Sequence, residues 1–287
     1  MLQVARLAPT QLGESRDLVA AFLRERLNAD GGFQDRAGVS DLYYTVFGLD
    51  GLIALQEDLP PASMDFLRER SAGAVDFVHA ACLARGWAAM RARPDGSTID
   101  AILKRIESCR SADGGYANTP GATTGSAYNA FLAVGAYQDF DRPVLNPDRL
   151  SQSLEGLKAA DGSYGNLPGM PSGLTTTTAA AVMALKQLGT TADRDTGMWL
   201  LDRCHGGGFF AAPAAPIPDL LSTATALHAL SALHVPLGGL REPCLDFVDS
   251  LWTNRGGFFG SWADDAVDCE YTYYALLALG HLSIEQS

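Results

Sequence analysis

Positive charge is scarce in this sequence: 21 lysines and arginines stand against 33 aspartates and glutamates, a formal net charge of −12. With no basic tract, nucleic acid and anionic membrane surfaces are not expected partners. No apolar run reaches membrane-spanning length without a charge or a turn, so no membrane span is expected. Met1 to Gly13 lacks the charged start, apolar middle and small-residue cleavage site of a secretory signal. The five cysteines, Cys82, Cys109, Cys204, Cys244 and Cys269, are odd in number, scattered, and never form a C-x-x-C. That usage fits reduced thiols rather than a disulfide framework, and it makes a cytoplasmic location the expectation. The five histidines fall at no metal-ligand spacing; His228 alone sits mid-helix, to be read as a hydrogen-bonded core group or as one facing a cavity.

Glycine, by contrast, is abundant and periodic. Asp30-Gly-Gly-Phe33, Asp113-Gly-Gly-Tyr116, Asp161-Gly-Ser-Tyr164, Gly206-Gly-Gly-Phe209 and Arg255-Gly-Gly-Phe258 each precede an apolar stretch. The residues before the pairs are separated by 83, 48, 45 and 49 positions, so the first gap is nearly two periods. A worn copy near Ser71-Ala-Gly73 completes six units, the mark of a repeat architecture. A hydrophobic content of 47% provides for a large core, and continuous repeats predict a single domain over residues 1–287.

Between the turns two kinds of helix alternate. Residues 99–109, 147–159, 193–204 and 242–253 carry one apolar stripe, whereas 124–137, 175–188, 222–234 and 267–281 are apolar or small all round. Earlier helices are expected over 14–27, from Ser40-Asp41 to about Gln56, over 63–70 and over 74–90. A one-striped helix belongs at the surface, and one apolar all round must be covered on both sides. The fold class is therefore all-α, an α/α barrel (toroid) of about six helical hairpins with inner and outer helix rings. An open solenoid of the same hairpins is the alternative, disfavoured because neither end carries a polar capping repeat. In a closed ring the first and last repeats are neighbours.

Gly-Gly-Phe/Tyr turns before such helices are similar to the repeats of protein prenyltransferase β subunits and of squalene and terpene cyclases. The resemblance covers nearly the whole chain. It implies a central aromatic-lined cavity for an isoprenoid or other apolar small molecule and, in the transferases, a zinc ion and a helical protein partner. Gly31 to Leu52 resembles the repeat that supplies the family's zinc histidine, and Gly256 to Tyr271 the repeat that supplies its D-x-C pair. Here Asp268 matches the aspartate, Glu270 stands in the cysteine's place, Cys269 is one position early, and Tyr44 occupies the histidine position. Asp268 and Glu270 are the candidate metal ligands, but a pair alone makes no zinc site. The loop from Phe259 to Val267 has no base to hold a diphosphate.

Asp264-Asp-Ala-Val-Asp268 matches the D-D-x-x-D spelling used to hold magnesium, so that ion stays open alongside the plainer reading of a solvated loop and a helix-opening carboxylate. Asp264, Asp265, Asp268 and Glu270 are the candidate catalytic residues, in metal or proton chemistry. Tyr44, Phe47, Tyr128, Trp262 and Tyr271 are the candidate cavity residues, with core filling as their alternative. Thr175–Thr178, Thr223 and Thr225 are expected to cap backbone groups at helix starts. The function these features predict is a prenyltransferase- or cyclase-like protein binding an apolar substrate. A non-catalytic binding protein that kept the barrel is the alternative.

Overall fold

The glycine turns are the joints of the molecule, whose computed structural model describes residues 1–284. At Gly31 the backbone has φ +88°. A side chain there would collide with the main chain of Ala62, so the residue serves both a left-handed turn and a close approach. Asp30 braces the turn by accepting the Gly32 N–H at 3.0 Å, as Asp113 does for Gly115 and Asp161 for Ser163. The aromatic after each pair is buried, with Phe33, Tyr116, Tyr164 and Phe209 wholly shielded.

The backbone N–H of that aromatic donates to a threonine of the following helix. The pairs are Phe33 to Thr45 (2.9 Å), Tyr164 to Thr178 (3.0 Å), Phe209 to Thr223 (2.9 Å) and Phe258 to Thr272 (3.4 Å). Thr45, Thr223 and Thr272 in turn donate to the carbonyls of Asp41, Asp219 and Asp268. Thr178 and Thr223 are thus latches between turn and helix, a role their position near a helix start had concealed.

In chain order the elements are α1 (Leu2–Ala5), α2 (Pro9–Leu12), α3 (Arg16–Glu25), β1 (Phe33–Gln34), β2 (Ser40–Asp41), α4 (Leu42–Ala54), α5 (Ala62–Ser71) and α6 (Phe77–Ala89). There follow α7 (Gly96–Glu107), α8 (Ala127–Asp139), α9 (Pro147–Glu155), α10 (Thr175–Gln187) and α11 (Arg194–Leu201). The last are β3 (Cys204–His205), β4 (Gly208–Phe209), α12 (Leu220–Ala232), α13 (Arg241–Asp249) and α14 (Cys269–Leu282). All twelve expected helices form. Their starts move where a better cap exists: Asp95 accepts from Thr98 N–H, so α7 begins at Gly96, and Ser126 accepts from Asn129 N–H, so α8 begins at Ala127. The ribbons β1–β2 and β3–β4 are antiparallel and only two residues per strand, too short to leave an alternating pattern in the sequence.

Two compact units can be distinguished, Met1–Ser63 with Leu200–Ser287, and Met64–Trp199. In the second, α8 packs between α6 and α10, with α7 against α6. In the first, α14 packs between α12 and α4, and α1 lies on both α14 and α4. The last repeat is therefore a direct neighbour of the first. A side chain at Gly280 would collide with the carbonyl of Val4, so the small residue in α14 is what lets the N-terminal segment approach.

His228 is a core group. Its Nδ1 lies 2.9 Å from His281 Nε2, and both rings are buried between α12 and α14. Burial pulls His281 down to about 4 from its ordinary 6.5. Because the folded form resists protonation, the native state loses stability as pH falls from 6.5 through 4, by roughly 2 to 3 kcal/mol. Urea midpoints measured across that range should fall for the wild type more steeply than for His281→Gln.

Candidate functional site

Asp268 and Glu270 open α14, and the fold treats them differently. Asp268 has extended backbone and caps the helix, its Oδ1 accepting the Tyr271 N–H at 2.9 Å. Its side chain is almost fully buried, and Oδ2 accepts from Arg36 Nε at 2.8 Å. Arg36 stands in the turn between β1 and β2, which Asp35 shapes by accepting the Ala37 and Val39 N–H groups. From there it also reaches Asp264 at 3.7 Å and lays its guanidinium over the Tyr271 ring, 5.4 Å from the centroid. The base that the loop 259–267 lacks is thus supplied from the opposite end of the chain. Arg36 is the site residue that sequence reasoning missed. The available signal was a lone base at the matching place in the first repeat, between its glycine turn and Asp41.

Glu270 lies within the same cluster but escapes the arginine. The Tyr43 hydroxyl donates to its Oε1 at 2.7 Å. Burial pushes Glu270 up to about 7 from an ordinary 4.5, the Asp268 charge adding to the rise while Tyr43 and Arg36 oppose it. Tyr44, at the start of α4, is pushed up to about 12, first by burial and then by Asp268 and Glu270. Tyr271 is likewise raised to about 12, chiefly by burial. At neutral pH both phenols keep their protons, and Glu270 is poised between its two forms.

Of the proposed cavity aromatics, Tyr44, Phe47 and Tyr271 join this cluster. Phe47 is its hub, with ring centroids 4.9 Å from Tyr43, 5.4 Å from Tyr274 and 5.7 Å from Tyr273. Except for Tyr273 these rings are only half-buried, so α4 and α14 present a continuous aromatic face. Trp262 is placed elsewhere: it is 56% exposed, packs edge-on against Phe247 of α13, and donates to Ser250 Oγ at 2.9 Å. Tyr128 lies in the second unit, on α8, and is 40% exposed. Asp265 is exposed on its loop, while Asp264 is held against Arg36.

The donor set does not fit zinc. Asp268 has one oxygen on a backbone N–H and the other on Arg36, Glu270 holds Tyr43, and a tyrosine stands where an imidazole is wanted. Cys269 is fully buried, and its thiol is pushed up by that burial, away from the thiolate a metal needs. Nor do Asp264, Asp265 and Asp268 converge as magnesium would require: among the described residues no three His, Cys, Asp or Glu groups make a metal cluster.

Asp268 therefore acts through its cap and its ion pair. Asp268→Ala, which loses both, is expected to cost about 2 kcal/mol, and Asp268→Asn, which can still cap, about 1 kcal/mol. Arg36 is 41% exposed, so its share lies in the modest range of a screened pair. Urea unfolding of both variants, alone and with Arg36→Gln, separates cap from pair by the shortfall from additivity.

Comparison with known proteins adds three findings. The prenyltransferase alpha-alpha toroid domain model matches residues 7–81, 66–157 and 176–286. Solved structures with the same fold include protein geranylgeranyltransferase-I of Candida albicans complexed with GGPP, at 13% identity and a TM-score of 0.72, covering 91% of this chain and 89% of that one. A variant of the type II terpene cyclase MstE from Scytonema, in complex with geranylgeranyl dihydroxybenzoate, is 16% identical with a TM-score of 0.69, covering 96% and 97%. An alpha-1,6-mannanase from Salegentibacter, 13% identical over 94% and 98%, reaches a TM-score of 0.63. No curated protein matches the sequence. At these identities the likeness carries the fold alone, and a mannanase among the neighbours underlines that chemistry must be argued from the site.

Proposed function

Since this chain belongs to the prenyltransferase alpha-alpha toroid family, we propose that it binds an isoprenoid or similarly apolar chain against the aromatic face of α4 and α14, and that Glu270 moves a proton there. The observation that carries the reading is Glu270 itself: a half-buried carboxyl, pushed up to about 7, that accepts from Tyr43 at the edge of the Phe47 cluster. Tyr43 engages Oε1, which leaves Oε2 to carry the proton. A neutral carboxyl in an apolar setting can protonate an alkene carbon, leaving a carboxylate and a carbocation. The faces of Tyr43, Phe47 and Tyr274 are suited to steady that cation by cation–π attraction. In a cyclisation of this kind, loss of a proton from the cation ends the reaction and recharges the carboxyl.

Transfer chemistry of the zinc-dependent kind finds no support in the donor set, so the cyclase-like reading is preferred. The Arg36–Asp268 pair favours a second one. It consumes the carboxylate that a metal would need, as expected of a chain that kept ligand binding and gave up catalysis. Incubation with geranylgeraniol and prenylated phenols in deuterium oxide, with products read by mass spectrometry, distinguishes the two. A cyclised product carrying deuterium supports proton chemistry, and its loss in Glu270→Gln assigns the donor. Saturable quenching of intrinsic fluorescence without product supports the binding protein. No saturable binding of any such chain overturns both.

A further inference from the structure

Away from the aromatic face, β3 and β4 hold a second group of reactive atoms. Cys204 opens the ribbon, paired with Phe209, and the chain reverses through Gly206 and Gly207. Gly207 has φ +87° and sits so close to the start of α13 that any side chain on it would collide with the carbonyl of Pro243. The residue after Pro243 is Cys244. The close approach, in which a Cβ on Gly207 would stand 3.0 Å from the Cys244 backbone nitrogen, therefore brings the ribbon that Cys204 opens against the first turn of α13, and the two thiols perturb one another there. Cys204 is half-exposed, between an aspartate-bearing helix end and the exposed His205 and Gly206; Cys244 is wholly buried.

We propose that Cys204 and Cys244 are a thiol–disulfide pair, Cys204 the attacking thiol and Cys244 the resolving one, responsive to small disulfides such as oxidised glutathione. The asymmetry of the pair supports the assignment. Donation from the Cys244 thiol, aided by the Gly207 N–H, holds the Cys204 thiol below its ordinary value against the opposing effect of burial. The same contact and burial push Cys244 up. The accessible sulfur is the one stabilised as thiolate, the form that attacks. In the first step the Cys204 thiolate bonds to one sulfur of oxidised glutathione and releases one glutathione thiolate. In the second, Cys244 gives its proton to the medium and attacks Cys204 Sγ, releasing the second glutathione. Two protein thiols are oxidised to one disulfide, and one small disulfide is reduced to two thiols.

The closed bridge would tie β3 to α13 across the whole of α12. A cross-link over that length restricts the unfolded chain and should raise the melting temperature. This inference does not depend on the proposed activity.

The test is peptide mapping of the native full-length protein after incubation in oxidised glutathione, with free thiols alkylated first. The expected result is a Cys204–Cys244 cross-linked peptide, reversed by dithiothreitol, with a higher melting temperature in the oxidised form. Cys244→Ser should stop at glutathione on Cys204, and Cys204→Ser should leave Cys244 unmodified. Should the wild type instead accumulate glutathione on Cys204 with no internal bridge, or should both thiols stay alkylatable while the urea-unfolded protein reacts, the proposal fails.

Discussion

Gly31→Ala should destabilise the protein by about 2 to 5 kcal/mol, a large share of the stability of a typical domain. The figure has two parts. Left-handed backbone costs a residue with a Cβ about 1 to 2 kcal/mol, and forcing an atom into a packed contact costs about 1 to 3 kcal/mol more. At Gly31 both apply, because φ is +88° and the new methyl meets the rigid main chain of Ala62. Gly38 is the internal control. It lies in the same repeat at φ +83°, but the nearest atom to its would-be methyl is the end of the Gln34 side chain at 3.6 Å. Gly38→Ala should accordingly cost only the backbone share, about 1 to 2 kcal/mol. Urea unfolding followed by circular dichroism measures both. Equal losses would mean that the glycine is required by the turn alone, and that the joint between turn and outer helix is not where the repeat is fastened.

Glu270→Gln is expected to act in opposite directions on stability and on chemistry. The folded state raises the carboxyl from an ordinary 4.5 to about 7, so it favours the protonated form. That contribution is complete below pH 4.5 and is lost as pH rises through 7, where a buried carboxylate must form. Glutamine stays neutral throughout. Near pH 4.5 variant and wild type should match closely; at pH 8 the variant should be more stable by roughly 2 to 3 kcal/mol, a shift of this size being worth about 1.4 kcal/mol per pH unit. If Glu270 is the proton donor, the same change should lower turnover by about two to four orders of magnitude. Melting temperatures at the two pH values test the first half without any substrate. A wild type that melts no lower than Glu270→Gln at pH 8 would return Glu270 to the ordinary carboxylates and remove the basis of the proposed chemistry.

Much of the fold was legible because its signals are local. Six helix starts carry a side chain that satisfies free N–H groups within three residues, those of Asp41, Asp76, Asp95, Ser126, Asp219 and Asp268. Five joints are glycine turns, four of them a glycine pair, and from the second of these turns on the aromatic after each recurs at nearly one period. The short ribbons β1–β2 and β3–β4 were missed because two residues cannot express an alternation. The threonine latches were visible as residues but not as contacts, since a hydroxyl near a helix start looks the same whether it caps its own helix or receives the turn.

The site was legible as a set of residue types and no further. Asp268, Glu270, Tyr44, Phe47 and Tyr271 come together as the repeat pattern implied, whereas Trp262 packs against α13 and Tyr128 belongs to the other unit. What each group does was decided by partners remote in the chain: Arg36 for Asp268 across 232 residues, Tyr43 for Glu270 across 227, His281 for His228 across 53. The sequence by itself determined the helices, their joints and the order in which they repeat, because propensity, capping and turn strain act over a few residues. Only the tertiary structure decided which carboxyl is neutralised and which is left to hold a proton. That depends on burial and on charges brought within a few ångströms by packing, and neither is written in any one segment.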